Sequence, residues 1–109
     1  MQRFRKYIDK DLNTENVKNL GHLNAFGITG KHLPDPPEEF DEFEFSTDFS
    51  GQDIQIGVAV QMGKIKRIML SLADKEDPDM VKGLTESQLK ELLAEKGDQL
   101  IGFFEYITK

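Results

Sequence analysis

Few residues of this chain are suited to proton transfer or metal binding. His22 and His32 are its only histidines, ten residues apart on loop-like sequence, and Asp35 or Glu38 are the nearest carboxylates with which they can build an acid–base or metal site. Nothing in that spacing requires such a site, and hydrogen-bonded or surface histidines account for it as well. A Ser nucleophile would need one of the same two histidines as its base. The absence of Cys excludes thiolate chemistry and disulfides, and leaves Met as the only sulfur ligand.

Two further patterns fail on chemistry. Gly27-Ile28-Thr29-Gly30-Lys31 suggests a phosphate-cradling loop, but Ala25 stands where the first Gly is needed and His32 where a Ser or Thr must follow the Lys. It reads as a turn. The acids Asp74, Glu76, Asp77 and Asp79 resemble a calcium loop in composition only. Counting from Asp74, the sixth residue is Asp79 rather than Gly, and the twelfth is Thr85 rather than Glu. No catalytic residue, cofactor site or metal ligand is assigned from the sequence.

Charge distribution is more informative. The net charge of −6 is confined to one segment: residues 33–63 hold eight acids and no Lys or Arg, whereas residues 1–32 hold six basic residues against three acids. The acids are Asp35, Glu38, Glu39, Asp41, Glu42, Glu44, Asp48 and Asp53. Like charges at i and i+2 on a strand lie only about 7 Å apart and repel. Acids on an edge strand also deter unwanted pairing, which is a sufficient structural reason for them. The functional reading is that Asp35, Glu38, Glu39, Asp41, Glu42, Glu44 and Asp48, with the proline loop, offer a field to a basic protein surface, as an inhibitor, immunity or adaptor protein would. Mimicry of nucleic acid by carboxylates near phosphate spacing is a lesser form of the same idea.

These residues need elements to carry them. Alternation with period two marks three strands of an antiparallel meander, about 42–49, 54–60 and 64–72. Phe43, Phe45, Thr47 and Phe49 share one face of the first, with Glu42, Glu44, Ser46 and Asp48 on the other. A Gly51-Gln52 loop sets Phe49 opposite Ile54 and Phe45 opposite Val58. In the second hairpin a two-residue Met62-Gly63 loop sets Arg67 against Val58. A three-residue Gln61-Met62-Gly63 loop sets Ile56 against Ile68, and is preferred because faces then match.

Residues 1–26 read as two helical segments, Met1, Phe4, Ile8 and Leu12 marking the first, and Asn13 or Thr14 capping a second that closes at Gly21. Gly27 to Glu39, with Pro34, Pro36 and Pro37, reads as a contact loop, partly polyproline II. Ala73 to Gly83 reads as a polar connection. Thr85 and Gln88 form a capping box for a helix over about 86–96, with Leu89, Leu92 and Leu93 as its buried stripe and Gly97 closing it. Residues 99–107 fit a further helix capped by Asp98, although Phe103, Phe104, Tyr106, Ile107 and Thr108 also suit a strand.

The fold expected is therefore a single α+β domain over residues 1–109, a three-stranded antiparallel meander covered on its apolar face by the C-terminal and N-terminal helices. No apolar run approaches the roughly 18 residues of a membrane span, and the first residues lack a signal-peptide core, so a soluble cytoplasmic protein is expected, with no membrane or nucleic-acid partner. Two alternatives accompany the interaction reading. One is a homodimer packed through the flat reverse face at Gly57 and Ala59, with Ile65 and Met69 beside them. The other is an enzyme or small-ligand binder with a site around His22 and His32.

Overall fold

The computed structural model describes residues 2–34, 39–73 and 80–109, the Gln2 side chain excepted. Asp35 and Glu38 of the proposed contact loop, and Asp74, Glu76, Asp77 and Asp79, lie outside the described residues.

The architecture is α+β, with an antiparallel sheet of five strands in place of the expected three: β1 Ile28–His32, β2 Phe40–Phe49, β3 Gln52–Gln61, β4 Lys64–Ala73 and β5 Val81–Gly83, ordered as in the sequence. The three long strands are those marked by alternation. Phe43, Phe45 and Phe49 are buried with Ile54, Ile56, Val58 and Val60, while Glu42, Glu44 and Asp48 point the other way. The two added strands carry no periodic signal. β1 buries only Ile28 and stops short of the prolines, and β5 has three exposed residues. Both exist because β2 and β4 offer them a ladder, at Thr47–Glu44 and Ser71–Ala73 respectively.

The registers differ from expectation by two residues, a slip that preserves faces. Phe45 lies opposite Ile56 and Phe43 opposite Val58, because the loop is Ser50-Gly51 and the ladder closes at Phe49 and Gln52. Both loop residues have positive φ, 52° and 77°, as a type I′ turn demands. Met62 and Gly63 repeat this at 53° and 79°, so the second loop also has two residues. That loop alone would drive Arg67 into the core. A β-bulge prevents it: Val60 faces Ile65, Lys66 is the extra residue, and Ala59 faces Arg67. Ile56 then pairs with Leu70, and Ile65, expected on the reverse face beside Met69, is fully buried.

Every helix packs on one side of this sheet. A 3₁₀ helix spans Gln2–Tyr7, followed by α1 Thr14–Val17 and α2 Leu20–Ala25. Asn13 and Asn19 cap the two α-helices by accepting from the N–H groups of Asn16 and His22. Gly21 lies inside α2 rather than closing a helix. Between the first two helices the chain runs along β4, where Asp9 N–H donates to Ile65, Ile65 N–H to Lys10 and Leu12 N–H to Gly63. Ion pairs Lys66–Asp9 and Lys64–Asp11 flank these bonds.

α3 is one helix, Glu86–Ile107, and not two. Its capping box is formed, with Thr85 Oγ1 3.1 Å from Gln88 N and Gln88 Oε1 3.0 Å from Thr85 N. Gly97 does not end it, because Leu92, Leu100, Phe103, Phe104 and Ile107 form one buried stripe whose burial against the sheet outweighs the cost of an interior Gly. The missing Cβ instead admits the Arg3 guanidinium against the helix. Among the described residues no helix is long and apolar enough to cross a membrane.

Candidate functional site

With the helices gathered on one side, the other face of the sheet is left, among the described residues, to its own side chains. Cross-strand neighbours define its rows. Glu42, Ala59 and Arg67 form one row, and Glu44, Gly57 and Met69 the next. Ser46, Gln55 and Ser71 follow, and Asp48 lies opposite Asp53 near the hairpin end. The centre is low because Gly57 and Ala59 have almost no side chain. Glu42 Oε1 lies 3.0 Å from where a Gly57 Cβ would stand, with Met69 Cε at 3.6 Å, so carboxylate and thioether close over bare backbone. A groove of about 330 Å³ results, lined by Glu42, Glu44, Gln55, Gly57, Met69, Ser71 and Val81. A second, of about 220 Å³, shares Glu44 and Gln55 with it and extends to Lys31, Ser46, Asp53 and Ala73.

Of the residues singled out in the sequence, Glu42, Glu44 and Asp48 share this face. Asp41 alternates to the other side of β2 and accepts from the Glu42 N–H at 2.9 Å. Glu39 precedes the strand, and its carbonyl accepts from Met62 N–H at 2.8 Å. The face is not free of positive charge, as the segment's composition suggested. Arg67 ends the Glu42 row, and Lys31 lines the second groove beside Glu44. Alternation along residues 64–72 already sets Arg67 on the side of Met69, whereas Lys31 was not legible because β1 carries no periodic signal and its residues read as a loop. Phe40, 62% exposed, and Met69, 37% exposed, add apolar surface to β2 and β4.

The two histidines have separate surroundings. His32 is exposed in register with Glu44 at the sheet edge. His22 stacks on Tyr106, ring centroids 3.9 Å apart and nearly parallel, above a depression of about 370 Å³ that Lys10, Phe26 and Glu105 also line. Glu105 and Thr108 are held from outside the depression. Tyr7 donates to Glu105 at 2.8 Å, Lys6 pairs with Glu105 at 3.2 Å, and Thr108 Oγ1 donates to the Phe104 carbonyl. Among the described residues no three His, Asp or Glu side chains converge as metal ligands.

These contacts shift protonation in both directions. Burial first, and then the bond to Glu105, push the Tyr7 hydroxyl up. The Tyr7 bond and Lys6 hold Glu105 below the usual carboxylate range, and Lys66 does the same for Asp9. A raised Tyr value adds stability that is complete below the free tyrosine value of about 10 and is lost as pH climbs beyond it. The depressed carboxylates add stability above their unfolded values near about 4, lost as pH falls through the folded ones. Urea midpoints measured against pH are expected to decline at both ends. Tyr7→Phe should flatten the alkaline limb, and an unchanged limb in that variant would assign it to other groups.

No protein-family model, curated protein or solved structure matches the chain.

Proposed function

We propose that this chain is a non-enzymatic interaction domain of inhibitor, immunity or adaptor type, which presents the open sheet face to a basic protein surface. The observation that carries the reading is the segregation of the described helices to one side, which leaves Glu42, Glu44 and Asp48 of β2 uncovered by any described residue, the first two beside a groove floored by Gly57. A Lys or Arg side chain suits that groove. Its aliphatic stem lies along Met69 and Val81 while its cationic head sits between Glu42 and Glu44. Asp48 opposite Asp53 is a like-charge pair that an arriving cation relieves.

The experiment is a titration of the ¹⁵N-labelled protein with a short Arg- and Lys-rich peptide. Shifts are expected at Gly57, Met69 and their row neighbours, with affinity falling by roughly tenfold or more as salt rises from about 50 mM to about 500 mM. The combined variant Glu42→Gln, Glu44→Gln, Asp48→Asn should lose the binding while keeping its fold, since the three side chains lie on the face away from the core. Salt-independent binding, or shifts confined to the helical side, would overturn the reading.

A further inference from the structure

The opposite charge gathers at an incompletely covered edge. β4 is ten residues long, but among the described residues its outer side is paired only towards its ends: Ile65, with Gly63 of the preceding turn, bonds to the Asp9–Leu12 arm, and Ser71–Ala73 to β5. Between them, no described residue pairs with Lys66–Leu70 on that side. In an antiparallel strand alternate residues turn both backbone groups to the same side, so a window of about 17 Å presents about two residues' worth of N–H and C=O to an incoming chain.

We propose that Lys66–Leu70 is a strand-addition site for an extended acidic segment of another protein. Beside the window opens a cavity of about 180 Å³ lined by Phe4, Arg5, Ile8, Lys66, Arg67 and Ile68, which receives one apolar side chain of the added strand against Ile8 and Ile68. The charges select the occupant. Lys66 is held by Asp9, but Arg5 and Arg67 are exposed and have no ion-pair partner among the described residues. A second copy of this chain presenting the same edge would set Lys66 and Arg67 against their own likes, which disfavours a symmetric dimer there. The bulge at Lys66 adds to that protection, because it twists the edge away from indiscriminate pairing. A polynucleotide satisfies the charges but cannot continue the ladder.

The test uses hydrogen exchange on the full chain with three probes: a short peptide alternating valine and glutamate, the same peptide N-methylated at alternate residues, and an oligodeoxythymidine of equal charge. The unmodified peptide is expected to slow exchange within residues 66–70 and to weaken by roughly tenfold or more in the variant Arg5→Glu, Arg67→Glu. The N-methylated peptide, identical in charge but stripped of the donors along one edge, should bind at least roughly tenfold more weakly. Equal binding of the N-methylated peptide or the oligonucleotide would show simple charge attraction and overturn the proposal. So would protection appearing elsewhere, or no binding of the unmodified peptide. The sheet-face reading is tested apart from this one, by a basic peptide and the Glu42, Glu44 and Asp48 variant, although Arg67 and Met69 border both surfaces.

Discussion

Deleting Gln55 is expected to unfold the protein under conditions in which the Lys66 deletion still folds. β3 is paired on both sides, without irregularity against β2 and with a single bulge against β4. Removing Gln55 either turns Ile54 out of the core or forces a new irregularity into both neighbouring ladders. Ile54 is fully buried, and exposing it alone costs about 1.5–3 kcal/mol. With lost ladder bonds the total passes about 3 kcal/mol, a large part of the stability of a domain this size. Lys66 is different, because it is already the residue without a counterpart. Its deletion turns the bulge into a regular ladder in which Val60 still faces Ile65 and Ala59 still faces Arg67. What is lost is the exposed Lys66–Asp9 pair, a contribution of about 1 kcal/mol or less. Urea denaturation of the two deletion variants compares them directly. If the Lys66 deletion proves as damaging as that of Gln55, the bulge is not the device that reconciles the turn with the core.

Phe103→Ala should cost about 3–5 kcal/mol. Phe103 is fully buried at the crossing of α3 and the sheet, 4.9 Å between ring centroids from Phe45 in an edge-on contact and 5.0 Å from Phe104. Phe104 in turn carries Phe4 at 5.1 Å and Tyr7 at 5.4 Å, so the cavity left by Phe103 loosens both the sheet contact and the docking of the N-terminal helix. A drop in urea midpoint accompanied by faster exchange of the Gln2–Tyr7 amides is the expected signature. A loss below about 1 kcal/mol would mean that the site collapses around the smaller side chain.

Which parts of this architecture were legible in the sequence follows from the range of the forces involved. Thr85 and Gln88 announced the start of α3 because the capping box is closed by four consecutive residues. The faces of β2, β3 and most of β4 were equally plain, since alternation is a property of each strand alone. Gly97 misled because Gly after a stripe of leucines is a common helix end; only the fit of Leu100, Phe103, Phe104 and Ile107 to the same sheet carries the helix through it. The candidate site was legible to the same extent. Glu42, Glu44 and Asp48 could be assigned to one face, and Arg67 to the side of Met69, but Lys31 could not, because β1 carries no alternation and exists only through its pairing with β2.

The sequence by itself determined which side of each long ribbon is apolar, where α3 begins, and that residues 33–63 carry acid without base. The tertiary structure decided the pairing register, the recruitment of β1 and β5, the burial of Ile65 and the countercharges on the acidic face. Side-chain period and capping are settled within a few neighbouring residues. Register and edge coverage depend on residues far apart in the chain, whose meeting no local pattern encodes.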